Sequence, residues 1–229
     1  MKPLLSESED KHSLQLLGRA SVQIVHDLKN HLNGLKLYAT FLRKRIEKGE
    51  RPADELETIT KLLAGIDRTA ESLSLISEYG EPVSLKHQNA TNIEQVMRGV
   101  VANLIEDVVA KTERAAITLE TGSEVLLSEV DTPLLTGALK SISTVAANLF
   151  RRRQKDNPLK IQVSCDTSGE RHDAIIDWHV LDSIDHDPFC SFAGADEIRM
   201  ALAAKVIEAH GGSAERRNGF LRVRLPLIK

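Results

Sequence analysis

Length, composition and charge exclude several classes of protein before any motif is considered. The chain has 229 residues, of which 41% are apolar, enough to build one or two hydrophobic cores. Its net charge of −3 and its aromatic content of 3% exclude a nucleic-acid partner, because nucleic acids bind to basic surfaces and stack on aromatic rings. Cys165 and Cys190 have no metal-ligand spacing, which predicts reduced thiols and no metal site.

The predicted location follows from two features of the sequence. The first 13 residues, MKPLLSESEDKHS, lack the apolar core of a signal peptide. No stretch reaches the length of a membrane span. We therefore expect a soluble, cytoplasmic protein that does not bind a membrane.

A long amphipathic helix is predicted from about Ser8 to Glu47. Apolar or small residues recur at alternating spacings of three and four, as in a coiled-coil heptad. These residues are Leu14, Leu17, Ser21, Ile24, Leu28, Leu35, Ala39, Leu42 and Ile46. In this register His26 falls at position f, farthest from the apolar seam, with Asp27 beside it and Asn30 one turn further on. A histidine directed to solvent next to an acid is typical of a reactive imidazole rather than a structural one.

A second helix is predicted to follow a turn at residues 48–52 and to end near Glu78. Gly49 suits the C-terminus of the first helix, and Pro52 suits the first turn of the next one. One hairpin cannot bury the apolar seams of both helices, so we expect a homodimer in which two hairpins form a four-helix bundle. The predicted bundle residues are Leu17, Ile24, Leu28, Leu35, Leu42, Ile59, Ile66 and Leu73.

The helical pattern breaks at Gly80-Glu81-Pro82, which predicts two domains, residues 1–81 and 82–229. Beyond the break, helices and short strands alternate. Helices are predicted at about 92–111, at 131–152, with Asp131-Thr132-Pro133 as the N-terminus, and at 196–209, with Gly211-Gly212 as the stop. Strands are predicted at about 116–120, 125–128, 159–165 and 174–180, followed by a pair of strands that ends at 220–225. This order predicts an α+β protein, in which the helical hairpin is followed by an α/β sandwich with helices on one face of a mixed sheet.

The order of elements and three motifs resemble the core of a histidine kinase, and the resemblance covers nearly the entire chain. His-Asp-Leu-Lys-Asn, starting at His26, matches the phosphoacceptor box; residues 203–212 match the last helix of the ATPase domain, and residues 222–227 its terminal strand. The resemblance implies a dimerisation and histidine-phosphotransfer hairpin followed by an ATPase domain of the gyrase–chaperone–kinase type. It also implies that His26 is the phosphoacceptor, that Asp27 holds its second ring nitrogen, and that Asn30 orients a water or a phosphoryl oxygen.

Three positions that the resemblance assigns to nucleotide binding carry unsuitable residues. Val145 stands where an asparagine would hold magnesium and phosphate. Asp177 matches the aspartate that addresses adenine, but His179 replaces the flexible glycine that follows it. Glu197–Met200 replaces a second glycine motif, whose backbone amides would approach phosphates. We therefore expect ATP binding to be lost, no cofactor to be bound, and Trp178 to lie in the core.

A retained phosphoacceptor box beside a lost ATP site is similar to the dimeric histidine phosphotransferases of phosphorelays. The similarity implies an enzyme that shuttles a phosphoryl group between receiver-domain aspartates through His26. Lys29, Asn33 and Lys36 are expected to contact the receiver, and His31 to pack on the seam side. Two alternatives remain open: a divergent sensor histidine kinase core with ATP-dependent autophosphorylation, and a scaffold that docks response regulators without phosphoryl transfer.

Overall fold

The structure of the chain is a computed structural model that describes residues 28, 30–45, 47, 55–86, 88–109, 117–122, 124–151, 158–169, 171–180, 187–192, 194–217 and 219–228. The chain divides into two compact units. The first contains the residues up to Glu81 together with Phe192–Ile198, and the second contains Pro82–Ser191 and Arg199–Lys229. None of the described helices combines the length and the apolar character needed to cross a membrane.

Five α-helices and seven β-strands lie in the described residues. The helices are α1 at residues 30–45, α2 at Glu55–Gly80, α3 at Ile93–Val109, α4 at Thr132–Arg151 and α5 at Ala195–Ala209, with a 3-10 turn at Pro188–Cys190. The strands are β1 at Gln88–Asn92, β2 at Ile117–Thr121, β3 at Leu127–Asp131, β4 at Leu159–Asp166, β5 at Asp173–His179, β6 at Ser213–Arg217 and β7 at Phe220–Pro226. All of these elements match a prediction from the sequence in type and approximate position, except β1, which has no predicted counterpart.

The two helices of the hairpin approach closely at Gly65. This glycine is buried, and a Cβ atom there would lie 2.8 Å from Cδ2 of Leu35 in α1. The buried or half-buried stripe of α2 is rich in small and polar residues, namely Thr58, Leu62, Gly65, Thr69, Ser72 and Ile76. Small residues in this stripe let the helix backbones come together, but they bury little apolar surface.

The neighbouring side of α2, about 100° further round the helix axis, carries an exposed apolar stripe, which we call the α2 stripe. It consists of Ile59, Leu63, Ile66, Ala70 and Leu73, at alternating spacings of four and three residues. The four large side chains are between 44% and 55% exposed. Exposed apolar residues at coiled-coil spacing are typical of a helix–helix interface.

The predicted bundle residues therefore divide between two environments. Leu28, Leu35 and Leu42 are half-buried, and three members of the α2 stripe are exposed; Leu17 and Ile24 lie outside the described residues. Ala39 was predicted on the seam but is exposed. The half-buried residues of α1 follow the strict heptad with position a at Leu28, Leu35 and Leu42. In that register Ala39 is at position e, next to the seam and not in it.

The second unit is built on a mixed five-stranded sheet with the order β2-β4-β5-β7-β6. Strand β2 pairs in parallel with β4, and the other neighbours pair antiparallel. Alternate residues of these strands form one hydrophobic core with residues of α3, α4 and α5, so the helices cover a single face of the sheet. This confirms the predicted layered arrangement. Strands β1 and β3 form a separate two-stranded antiparallel sheet.

Asp131 and His210 link the start of α4 to the end of α5. The Asp131 carboxylate accepts hydrogen bonds from the backbone N–H groups of Leu134, at the start of α4, and of Lys86. The Asp131 N–H donates to Nε2 of buried His210, over 3.0 Å. Because Nε2 accepts, the ring proton lies on Nδ1, which donates to the carbonyl of Val206. Asp131 thus caps α4, as the sequence predicts.

Helix α5 ends at two glycines, as predicted. Gly211 has a φ of 72°, a left-handed conformation that glycine adopts without steric cost. At Gly212 a Cβ atom would meet the carbonyl oxygen of Arg224 at 2.2 Å. The chain therefore turns from α5 towards β6 at a point where no side chain fits.

Two glycines of the hairpin allow a matched test of the close approach. We expect Gly34→Ala to stabilise the protein by about 0.5–1 kcal/mol, since alanine favours a helix and, apart from its own helix backbone and chain neighbours, no atom of a described residue lies within 4 Å of the added methyl group. Gly65→Ala should raise the stability by less than Gly34→Ala does, or lower it, because its methyl group displaces Leu35. Urea unfolding of both variants provides the measurement. Equal effects of the two substitutions would contradict the close contact at Gly65.

Candidate functional site

Three of the six residues predicted to form the site lie in the described part of α1. Asn30, Asn33 and Lys36 are all exposed on this helix. The predicted phosphoacceptor His26 lies outside the described residues, as do Asp27 and Lys29. The described helix therefore provides the surface next to the phosphoacceptor motif, and the placement of the motif itself rests on the sequence register.

The exposure of α1 agrees with the register that puts His26 at position f. Asn33 is the next f position along the chain, and it is exposed, whereas Leu35 and Leu42 at position a are half-buried. Residues at i, i+4 and i+7 share one face of a helix. Carried back from Asn30 and Asn33, the register puts His26 on this exposed face.

Two large apolar residues that are not among the predicted site residues continue this face. Leu37 is 68% exposed and Phe41 is 50% exposed, one turn apart on α1. The guanidinium carbon of Arg45 lies 5.1 Å from the centre of the Phe41 ring, within the range of a cation–π contact. Leu37 occupies position c of the heptad, where a polar residue is the rule, and this departure is the signal that identifies the apolar patch.

His31 lies on the half-buried side of α1, outside this patch. Its residue is half-buried, as predicted for the seam side, and its Nδ1 atom is buried without a hydrogen-bond partner in the part of the chain that the structure describes. This environment differs from the exposed one that a phosphoacceptor requires. His31 is therefore a matched control for His26 in functional tests.

The position expected to hold magnesium lies in the hydrophobic core. Val145 of α4 is 3% exposed and packs in the same core as the neighbouring Ala146. A buried isopropyl group has no atom that can coordinate a cation. No set of three or more His, Cys, Asp or Glu side chains that could hold a metal ion occurs in the described ranges.

Asp177 faces away from the helical layer. In β5 the residues on either side of it, Ile176 and Trp178, point into the core, so strand alternation directs Asp177 to the opposite face of the sheet. There Arg222 of β7 forms two hydrogen bonds to its carboxylate, Nε to Oδ1 over 2.8 Å and Nη2 to Oδ2 over 2.7 Å. The hydrogen bonds and the charge of Asp177 raise the pKa of Arg222 above its ordinary value.

His179 lies on the same face of the sheet as Asp177. Its ring centre is 5.9 Å from that of Phe220, the register partner of His179 on β7. Its Nε2 atom is buried and has no hydrogen-bond partner among the residues described. A bulky, partly buried ring thus stands where the first nucleotide motif would have a flexible glycine.

The segment that replaces the second glycine motif is helical. Residues Glu197–Met200 belong to the first turns of α5, and Ile198 and Met200 are 3% and 0% exposed. Ile198 N–H donates to the carbonyl of Gly194 over 3.0 Å. A helix has its backbone N–H groups engaged after the first turn, so this segment does not form a loop of free amides.

Comparison with known proteins gives matches by structure alone: no family model and no curated protein matches the sequence. The histidine kinase ThkA, solved in complex with the response regulator protein TrrA, is 18% identical with a TM-score of 0.65, over 100% of this chain and 68% of that one. The fold is histidine-kinase-like. The histidine kinase AdeS of Acinetobacter baumannii gives a TM-score of 0.58 at 14% identity, over 89% of this chain and 98% of that one.

A third histidine-kinase-like structure extends the comparison. ShkA, solved in complex with AMPPNP, is 15% identical with a TM-score of 0.53, over 90% of this chain and 46% of that one. At identities this low the matches establish the histidine-kinase-like fold and nothing finer. The residues of the candidate site therefore have to be judged by their own chemistry.

The Asp177–Arg222 ion pair gives a test of the observed geometry. The two side chains are 12% and 17% exposed. We expect Arg222→Met to lower the free energy of unfolding by about 2–4 kcal/mol, because it leaves a largely buried carboxylate without its partner. The double variant Asp177→Val/Arg222→Met should be more stable than Arg222→Met, since it leaves no unpaired charge. Chemical denaturation of the three proteins is the measurement, and equal stability of the two variants would contradict the pairing.

Proposed function

We propose that this protein is a histidine phosphotransferase of a two-component phosphorelay, acting as a cytoplasmic homodimer. One combination of features carries the proposal. The chain has a histidine-kinase-like fold and a sequence that matches the phosphoacceptor motif at His26. At the positions that the resemblance assigns to nucleotide binding it has side chains of the core and an ion pair. A protein of this kind accepts a phosphoryl group from one receiver domain and passes it to another. It needs no nucleotide of its own.

The proposed chemistry is a reversible transfer between an aspartate and His26. The neutral imidazole attacks the phosphorus of a receiver aspartyl phosphate; a P–N bond forms, the P–O bond to the aspartate breaks, and the carboxylate leaves with the electron pair. Asp27 stabilises the positive charge that develops on the ring by holding its second N–H group. Transfer to the second receiver reverses these steps. Asn30, one turn along the exposed face, orients a phosphoryl oxygen.

The surface of α1 supports a receiver domain as the partner. Lys29 and Lys36 offer positive charge to an acidic aspartate pocket, and Asn33 is exposed between them in the sequence. The apolar patch of Leu37 and Phe41 continues the same face and adds the desolvated contact area that a specific interface needs. ThkA, whose fold is similar, was solved with a response regulator.

Three independent positions support the proposed loss of the nucleotide site. Val145 is buried in the core, Asp177 is held by Arg222 on the opposite face of the sheet, and Glu197–Met200 is helical. Each feature removes a different group that ATP with magnesium would need, and the residues present do not fit a nucleotide. These features favour phosphotransfer over the alternative, a divergent sensor histidine kinase core. That alternative retains support from the fold, which the kinases share.

The first test of the proposal is the transfer reaction itself. His26→Gln should abolish passage of label from one phosphorylated receiver to a second one, because glutamine has no nucleophilic ring nitrogen. Asp27→Asn should slow transfer by about tenfold or more without abolishing it. His31→Gln, which alters the half-buried side of α1, should still transfer label. Wild-type transfer by the His26→Gln protein would contradict the proposal and favour the scaffold.

The second test concerns the dimer. We expect light scattering at micromolar concentration to give twice the chain mass, because the α2 stripe needs a partner. Ile66→Lys, in the middle of the stripe, should produce a folded monomer. Leu37→Lys provides a control, since it changes an exposed apolar residue outside the stripe and should leave the dimer intact. A monomeric wild-type protein would contradict the four-helix bundle.

The third test is nucleotide binding. Calorimetric titration with ATP and magnesium should give no heat of binding, because no residue at the three positions can contact phosphate, magnesium or adenine in the expected way. An active histidine kinase core provides the positive control. A micromolar affinity would contradict the proposed loss of the site and would favour the autokinase alternative.

A further inference from the structure

The first unit contains a short segment from much later in the chain, Phe192–Ile198, which we call the strap. Its first residue packs on the end of α2. The rings of Phe192 and Tyr79 meet edge to face, with their centres 5.0 Å apart and their planes at 81°. This is a favourable arrangement for two aromatic rings. The strap is therefore part of the hairpin unit, although it lies more than a hundred residues beyond the hairpin in the sequence.

The two large side chains of the strap are buried. Phe192 is 7% exposed and Ile198 is 3% exposed. The strap includes the first turn of α5, in which the Ile198 N–H donates to the carbonyl of Gly194. On α2, Ile76 and Tyr79 are half-buried. Two buried apolar side chains on a short segment remove enough area from water to hold it in place.

The end of α2 has few features of its own that stabilise a helix. Serine occupies three of its last nine positions, and serine favours a helix less than alanine does. The last turn, which the structure describes in full, contains no basic residue, and the carboxylate of Glu78 lies near the negative end of the helix dipole. Gly80 does not take the positive φ of a left-handed helix cap. This end of α2 therefore depends on tertiary contact to remain helical.

We propose that the strap is a conformational device. While Phe192 packs on Tyr79, the strap keeps the last two turns of α2 helical, and when the strap is displaced these turns fray. Segments that change between an ordered and a disordered form are a common basis of switching in proteins. The strap acts independently of phosphoryl transfer, but its effect on the phosphoacceptor motif rests on the proposed function.

The register of the hairpin connects the strap with the phosphoacceptor motif. Leu35 of α1 lies against Gly65 of α2. Seven residues before Leu35 and seven after Gly65, Leu28 and Ser72 are both half-buried, as expected for antiparallel helices that stay in contact. The last turns of α2 follow Ser72, and the motif at His26 precedes Leu28. The register therefore predicts that the part of α2 held by the strap runs beside the motif.

Hydrogen exchange of the intact chain, followed by mass spectrometry, tests the strap. Phe192→Ala should speed amide exchange in residues 74–80 by about tenfold or more, since local opening costs less without the ring contact. Exchange around Ile66, in the middle of α2, should not change. Tyr79→Ala should have the same effect, and the double variant should exchange about as fast as the faster single variant, because both substitutions remove one contact. Phe220→Ala, which removes a half-buried ring of β7, is the matched control and should leave residues 74–80 unchanged.

The exchange of residues 74–80 decides whether the strap exists. Unchanged exchange in Phe192→Ala and Tyr79→Ala would overturn the proposal, and so would a Phe220→Ala protein in which the same residues open equally. If Phe192→Ala does not fold, as judged by circular dichroism, Tyr79→Ala decides alone, because it removes only a half-buried ring at the end of a helix.

Phosphoryl transfer decides whether the strap affects the motif. Phe192→Asp places a charge in the apolar contact and should displace the strap fully, so that transfer slows by about threefold or more as the competent fraction falls. Open residues 74–80 with transfer at the wild-type rate would overturn this effect. His26→Gln should block transfer and keep the wild-type exchange of residues 74–80, so a failure of the proposed function and a failure of the strap give different results.

Discussion

The arrangement of the hairpin depends on the side chains of α2, whose usual distribution is reversed: small and polar residues are buried and large apolar residues are exposed. The stripe that packs within the hairpin contains Gly65 and several threonine and serine residues, whereas Ile59, Leu63, Ile66 and Leu73 point outwards. A close approach of two helices gives good contact but buries little apolar area. The stability of this unit therefore depends on covering the α2 stripe, and a second copy of the hairpin is the simplest cover. A dimer would also present two copies of the exposed face of α1.

The second unit depends on a different physical effect, the burial of one continuous apolar core between the sheet and the helices. Val145, Trp178 and Met200 each bring an apolar side chain into the layer between the sheet and the helices. Asp177 remains, but it forms a structural ion pair with Arg222 on the outer face. Under the proposed function this unit binds no nucleotide, and the chemistry lies on the first helix.

The sequence predicted the periodic elements well, because long helices and alternating strands leave strong patterns. The hairpin, the mixed sheet, the Asp131 cap and the glycine stop at Gly211 were all confirmed. Strand β1 has no predicted counterpart because Gln88–Asn92 is mostly polar and, among the described strands, pairs with β3 alone. The orientation of Asp177 is not among the predictions, although it follows from the predicted burial of Trp178, because neighbouring side chains of a strand point to opposite faces. The Leu37 and Phe41 patch leaves a weaker signal in the sequence, an apolar residue at position c of the heptad, and the exposure of both side chains makes the patch evident.

The central claim is that a histidine on the exposed face of the first helix carries the phosphoryl group without help from ATP. The most direct measurement is mass spectrometry of the protein after incubation with a phosphorylated receiver domain in the absence of nucleotide, with fragmentation that keeps the P–N bond intact. The account predicts a phosphoryl group on the peptide that contains His26, stable to base and labile to acid. A chain that stays unmodified while the receiver retains its phosphate, or a phosphoryl group on another residue, would contradict it.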